Sequence, residues 1–306
     1  MEQCCKRSVK SVQGSLGGIL LIDVLSIGEV LVDLKIIDGK ISVHSGGSCL
    51  NVAFYSAQLG ARSSFIGTVG DDFLGRYITK ELESLDFKIP LSVINQNTTL
   101  VLIKSEKEKL EPLIYRGADR FITEEQIVES WKDARIVHTS AFALSLNPSK
   151  EAILNALKQA KENGSLISVD PNYRKDIWKR WGADERALLE AISIADIVKP
   201  SIEDAKELLG IRDPMKALKI FKGLGAKNVI LSMGAKGVIA LTEDDRLINI
   251  SSKRVNVVDP TGAGDSLLGT ILAKFSRGYD IEEAIEVGTE VAAKVVSTEG
   301  TLVKVV

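Results

Sequence analysis

Short apolar runs rich in β-branched residues recur near 24–33, 63–69, 135–139, 166–170, 196–199 and 228–232, and the stretches between them carry helical spacing. That alternation admits few folds. Parallel strands need crossover connections, and helices on both faces are what bury such a sheet. A three-layer α/β/α domain is therefore expected. Several helix ends are marked: Asn147-Pro148 opens a helix that Gly164 closes, Asp213-Pro214 opens another, and Ser201 caps a short one ended by Gly210. Asp280 with Glu283 suits a cap on the last helix, where Ile281, Ala284, Ile285, Val291, Ala292 and Val295 share a buried face. Neither a repeat nor a linker divides the 306 residues. One domain is expected, with residues 1–22 as an N-terminal tail.

Two stretches break the rhythm. Leu34 to Val43 reads as two short strands around Asp38-Gly39, a strong hairpin signal. Thr98 to Tyr115 gives another strand, a charged turn over 105–111 and a return strand. Lid strands within 34–44 and 98–116 would form a small antiparallel sheet, with Ile36, Ile41, Val43, Val101 or Leu102, and Leu113 on one apolar face that no helix covers. Such a face closes over a ligand or meets a second subunit. The expected assembly is a homodimer through the lid.

Composition removes several function classes. With 39 basic and 41 acidic residues the net charge is −2, which argues against a nucleic-acid footprint and for small neutral or anionic ligands. Three cysteines build neither a disulfide framework nor a Cys4 zinc site, and His44 and His138 form no HExxH. Lys6, Arg7 and Lys10 before the run Leu16 to Ile22 mimic a signal peptide, but Asp23 interrupts the run and no small-residue cleavage site follows. No stretch reaches the ~18 apolar residues of a membrane helix. A cytoplasmic protein without membrane contact is expected.

The segment Val257 to Thr270, VVDPTGAGDSLLGT, carries the chemistry. A strand is expected to end at Val258. Pro260 turns the chain, and Gly262, Ala263 and Gly264 then bring bare amides together at the start of a helix reaching about Ser276. Amides at a helix N-terminus bind phosphate oxygens. Asp265 either complements the helix dipole or, in an anion site, accepts the proton of an attacking hydroxyl. The spacing matches neither GxGxxG nor a P-loop. Elsewhere Asp33 ends the first strand, Gly46-Gly47 lets backbone approach a ligand, and Asn51 offers donor and acceptor to vicinal hydroxyls. Taken singly, Asp33 also suits a turn and Asn51 a helix cap.

These motifs resemble the two signatures of the ribokinase-like (PfkB-type) carbohydrate kinases, the first at Gly46 to Ala53 (GGSCLNVA) and the second at the GAGD segment. The resemblance runs from about residue 22 to the C-terminus and takes in Gly67 to Gly75, Asp170-Pro171-Asn172-Tyr173-Arg174 and Ser232 to Gly237. It implies an ATP-dependent sugar kinase on a ribokinase-like fold, with Asp265 as base and Gly262, Ala263 and Gly264 as anion hole. Asp33, Gly46, Gly47, Asn51, Arg116, Asn172 and Arg174 would meet the sugar. For ATP the resemblance assigns Ser201, Ser232, Gly234 and Gly237 with Gly262 and Gly264; for Mg²⁺, Asp204 as an outer-shell carboxylate, where the family's NxxE is replaced by Ser201-Ile202-Glu203-Asp204. Asp259 would serve a monovalent cation such as K⁺. Lys199 stands near the phosphates or caps a strand, the latter being favoured. Cys49 and Thr270 depart from the family pattern.

Within the family, Tyr115-Arg116-Gly117-Ala118-Asp119 and DPNYR are most similar to fructokinases. A 2-keto-3-deoxygluconate kinase is the alternative, although Ile114 stands where those enzymes carry tyrosine. A silent sugar-binding regulator is the rival from another class, and a nicotinamide dehydrogenase lacks its glycine fingerprint.

Overall fold

In the computed structural model, residues 21–37, 39–106, 109–128 and 130–306 are described. The tail through residue 20 and Asp38 of the expected hairpin turn lie outside the described residues. The chain begins β1 (Ile22–Ile27), β2 (Leu31–Ile37), β3 (Lys40–Gly46), α1 (Ser48–Gln58), β4 (Ser63–Ile66), β5 (Thr68–Gly70), α2 (Phe73–Ser84), β6 (Ser92–Ile94), β7 (Leu100–Glu106) and β8 (Lys109–Tyr115). It continues through α3 (Glu124–Ile127), β9 (Ala134–Ser140), α4 (Ser149–Glu162), β10 (Leu166–Asp170), α5 (Lys175–Arg180), α6 (Arg186–Ile194) and β11 (Ile197–Val198). The remainder is α7 (Ile202–Leu209), α8 (Pro214–Gly223), β12 (Asn228–Ser232), β13 (Val238–Leu241), β14 (Leu247–Ile250), α9 (Ala263–Ser276) and α10 (Ile281–Val295).

The main sheet runs β14-β13-β12-β11-β10-β9-β1-β4, parallel from β12 to β4. β1 and β9 to β13 bury both faces, as their continuous apolar runs require, whereas the edge strands β4 and β14 are partly exposed. Leu25, Val137, Val198 and Val229 pack beneath Ile153, Leu157, Leu188 and Phe221 of α4, α6 and α8. The alternate residues Val24, Ile136, Ile197 and Ile230 pack against Leu268, Ile271 and Ile285 of α9 and α10. The layers are those expected of a ribokinase-like α/β fold. Asp213 and Ser201 cap their helices as read, while Asp280 accepts from the amide of Glu282 at 2.9 Å.

Strand boundaries depart from expectation where one buried run serves two sheets. Residues 24–33 break at Gly28-Glu29-Val30, so β1 stays in the main sheet and β2 leaves for the lid. Asp33 consequently lies inside a lid strand rather than at the end of the first strand. The run 63–69 divides at Gly67 in the same way. The β13–β14 hairpin extends the main sheet antiparallel and was not foreseen. No strand ends at Val258; residues 251–260 are irregular, and Val255, Val257 and Val258 are exposed.

The lid is a second sheet, β3-β2-β7-β8. It is mixed rather than purely antiparallel, because its two hairpins join through the parallel pair β2–β7. Asp33, Lys35 and Val101 are buried on the inner face. On the outer face Val43, Leu34, Leu102 and Leu113 stand directly opposite one another across the four strands.

Candidate active site

The carboxyl ends of the parallel strands β1, β9, β10, β11 and β12 share one edge of the sheet, where Lys199 after β11, paired with Asp170 of β10, approaches the N-terminus of α9. Ligands of open α/β sheets bind at such an edge. Gly262 precedes α9 in the left-handed region, with φ 81°, and a Cβ there would stand 3.0 Å from the Thr301 carbonyl oxygen. That conformation aims the first-turn amides, which have no intrahelical acceptor, into the cleft. Asp265 follows in the first turn. Its Oδ1 accepts from Ser48 Oγ and its Oδ2 from Asn51 Nδ2, each at 2.7 Å. Enclosure by protein raises its pKa; the Asn51 and Ser48 bonds and the nearby Lys199 charge oppose that rise.

Asn51, expected at the sugar, thus holds the Asp265 carboxylate with its amide nitrogen. Its buried Oδ1 has no partner among the described residues and remains able to accept from a ligand. Ser48 was missed, because only folding brings the start of α1 to the start of α9. Gly47, at φ 113°, passes so close that a Cβ would lie 2.4 Å from the Glu29 carbonyl oxygen. A Cβ at Gly46 would meet Asp33 Oδ2 at 2.5 Å. Burial, reinforced by Asp265 and Asp259 and opposed by Lys35, pushes Asp33 up to about 7. Near neutrality its carboxyl can donate as well as accept.

Glu29 lies in the break between β1 and β2. It is 1% exposed and accepts from Ser140 Oγ at 2.7 Å and Cys49 N at 3.3 Å. Burial lifts its pKa to about 7. It fastens β1 to β9 and to the start of α1.

On the opposite side, Lys199 does more than cap a strand. Its buried Nζ is 2.9 Å from Asp170 Oδ2 and would be 3.1 Å from a Cβ at Gly264, so the ammonium lies against the amide hole. Burial works against its charge, but Asp170 outweighs that and its pKa is raised. The Asn172 amide donates to Asp170 Oδ1 at 3.2 Å. Ser232 closes β12 beside Ser201, to which a parallel bridge joins it, and the turn Gly234–Lys236 leads to Gly237. These residues share one edge of the sheet.

Asp204 does not present a free carboxylate. Oδ1 accepts from Tyr173 N at 2.8 Å and Arg174 Nη1 at 3.2 Å, while Oδ2 accepts from Ser201 N and Ser201 Oγ, both at 2.7 Å. Its four lone-pair positions are filled, so it serves as a helix cap rather than as a direct metal donor. Among the described residues, no group of three acidic, histidine or cysteine side chains suits a metal ion. Arg174 accordingly faces Asp204. Arg116 is held by Asp119 at 2.6 Å and by Ser145 Oγ at 2.8 Å, with its guanidinium 4.0 Å from the Phe142 ring centre and 4.7 Å from that of Trp181. Asp259 receives Lys35 Nζ at 2.5 Å. Burial would raise the Asp259 carboxyl, but the bonds from Lys35 and Thr261 prevail and hold it below its ordinary value. His138 is buried against Ser168, and burial drives its pKa down to about 3.

A seated carboxylate, a glycine-lined helix N-terminus and a buried lysine at the carboxyl edge of a parallel sheet define a phosphotransferase with a hydroxyl acceptor. The chain belongs to the pfkB family of carbohydrate kinases, whose family model matches residues 21–305. It is 33% identical over 291 residues to an ATP-dependent 6-phosphofructokinase of Thermoanaerobacterium thermosaccharolyticum, covering 92% of this chain and 90% of the relative. A fructokinase of Vibrio alginolyticus is 32% identical over 263 residues, covering 83% and 84% of the two chains. A double-mutant fructokinase of Vibrio cholerae O395, solved with fructose, ADP and a potassium ion, superimposes with a TM-score of 0.81 at 26% identity, covering 93% of this chain and 95% of the other. Among the described residues, no helix is long and apolar enough to cross a membrane.

Proposed function

We propose that this kinase transfers the γ-phosphoryl group of ATP to a primary hydroxyl of a small neutral ketose, fructose or a close relative. The observation that carries the neutral acceptor is charge pairing. Arg116 holds Asp119, Arg174 holds Asp204 and Lys35 holds Asp259. A carboxylate or phosphate on the acceptor would have to displace Asp119 or Asp259 to reach the buried Arg116 or Lys35; only Arg174, half-exposed and bonded to Asp204 through Nη1, keeps donors free. Hydroxyls instead suit the acidic and amide groups facing them, Asp33 and Asn51 Oδ1. Asp265 takes the hydroxyl proton, the first-turn amides of α9 receive the charge that develops on the transferring group, and Lys199 adds a positive charge beside them. Mg²⁺, arriving on the nucleotide phosphates, would supply further charge neutralisation; Asp170, with capacity left on its oxygens, is better placed than Asp204 to support its water shell. The outer apolar row of the lid supports a homodimer through that face.

An ADP-release screen over fructose, fructose 6-phosphate, pentoses, nucleosides and 2-keto-3-deoxygluconate tests this reading. Fructose or another neutral ketose should give the highest kcat/KM. Preference for fructose 6-phosphate or for the ketodeoxy acid would replace it.

A further inference from the structure

Lys35 lies on the inner face of the lid strand β2, two residues beyond Asp33, and is only 5% exposed. Its side chain leaves the lid for the loop ahead of α9, where Nζ sits 2.5 Å from Asp259 Oδ2 and donates to Thr261 Oγ1 at 2.9 Å. Asp259 is 9% exposed and has two further donors, the amide of Thr261 on Oδ1 at 3.0 Å and that of Gly300 on Oδ2 at 3.2 Å. The carboxylate therefore joins the lid, the turn that enters the amide hole and the segment after α10. Gly262, whose left-handed conformation aims that hole, is the next residue after Thr261 and packs on Thr301.

Resemblance pointed to a monovalent cation at Asp259, and a related fructokinase was solved with potassium. The donor set here does not fit one. An ammonium already contacts the carboxylate in a place nearly closed to water, and a second cation on Oδ2 would stand against it with little screening. An alkylammonium and a potassium ion are alike in charge and comparable in size, and both satisfy a carboxylate together with a hydroxyl oxygen.

We propose that the Lys35 ammonium is the built-in monovalent cation of this kinase, fixing the Asp259–Gly262 turn so that the α9 amides face the phosphoryl group without added potassium. Lys35 is a positioning residue in this role. Because Asp33 at the acceptor and Lys35 at the turn share one strand face, the seating of the lid and the shape of the amide hole are mechanically linked. The strand that reaches the sugar also holds the anion site.

The test compares choline chloride with potassium chloride at equal ionic strength. Wild-type kcat should agree within about twofold between the two salts, and the melting temperature without acceptor should not depend on the cation. Lys35→Met keeps the apolar stem and removes the charge; in choline it should lose about tenfold or more in kcat, and potassium or ammonium ions should recover most of that loss. The same ions should raise its melting temperature. Saturable severalfold activation of the wild type by potassium would overturn the proposal, and this arm needs no variant. So would a Lys35→Met enzyme that keeps wild-type turnover, or one whose loss no monovalent cation repairs. The kinetic arm rests on the kinase reading, whereas melting without acceptor reports the turn alone, so the two ideas fail separately.

Discussion

Asn51 donates to Asp265 across 2.7 Å while its own buried carbonyl oxygen has no partner among the described residues, so one side chain both orients that carboxylate and keeps an acceptor in reserve. The pairing joins the first turn of α1 to the first turn of α9. Asp265→Asn should preserve the fold and nucleotide affinity while lowering kcat by about 10² to 10⁴, since it removes the general base and little else. Steady-state kinetics with a nucleotide-binding titration check this; wild-type turnover in the purified variant would refute the role of Asp265.

The pH profile gives a second handle on the same carboxylate. A base works ionised, so kcat/KM should fall as pH drops through the Asp265 pKa. Ser48 Oγ and Asn51 Nδ2 both stabilise the ionised form. Ser48→Ala should therefore raise that pKa and move the acidic limb toward higher pH by about one unit, given the usual worth of a hydrogen bond to a charged group. An unmoved or lowered limb would show that Ser48 does not tune the base.

How much of this was legible follows from how local each feature is. The GAGD turn was readable because proline and glycines punctuate it and Asp265 stands out in an anion site. The helix caps at Ser201 and Asp213 were equally local. Ser48, by contrast, meets a residue 217 positions away, and no pattern in either segment announces that contact. Lys35 reads as an ordinary strand residue, and Lys199 as a strand cap or a phosphate neighbour, until folding sets them against Asp259 and Asp170. Asp204 reads as an outer-shell magnesium carboxylate where the family's NxxE is departed from; its hydrogen bonds, invisible in the sequence, fill it as a helix cap and leave no direct donor. The β1–β2 break escaped notice because the run is buried on both sides of Gly28, so hydrophobicity does not change where the chain switches sheets.

The arginines separate acceptor classes. Arg174 is half-exposed and leans on Asp204, so Arg174→Ala should raise KM for a neutral ketose only severalfold. An acceptor with a carboxylate gripped by that guanidinium would lose far more, about 10² or beyond. Arg116→Ala should instead lower the melting temperature, since it leaves Asp119 buried with the Thr99 hydroxyl but without its guanidinium and removes the filling between Phe142 and Trp181. A steep KM effect confined to Arg174 would move the reading to an acidic sugar.

Glu29 should leave a signature in stability. Its folded pKa of about 7 exceeds that of an unfolded glutamate, so between roughly pH 4.5 and 7 the folded state keeps a proton that the unfolded state has released. Its contribution is fully present below that window and is lost as pH rises through 7, on the order of 3 kcal/mol in total. Glu29→Gln retains a donor and an acceptor for Ser140 and Cys49 and should not show this loss. The stability of the wild type relative to the variant, from urea midpoints, should therefore decline across that window and level off above it. Parallel curves would mean that Glu29 is ionised throughout.

The last prediction concerns the outer face of the lid. Register sets Val43, Leu34, Leu102 and Leu113 in one row across all four strands, with Ile41 66% exposed and Tyr115 57% exposed nearby. Val101 is not part of this face; it is buried on the inner side with Asp33. A twofold axis through such a row would set the same apolar strip against itself, the simplest way to cover it. Light scattering should give about twice the 33.2 kDa chain mass. Ile41→Glu should shift the protein toward monomer and, because the lid's other face carries Asp33 and Lys35, should also raise the sugar KM. A wild type that stays monomeric at high micromolar concentration would leave the lid as an intramolecular cover only. A dimer indifferent to Ile41→Glu would place the interface elsewhere.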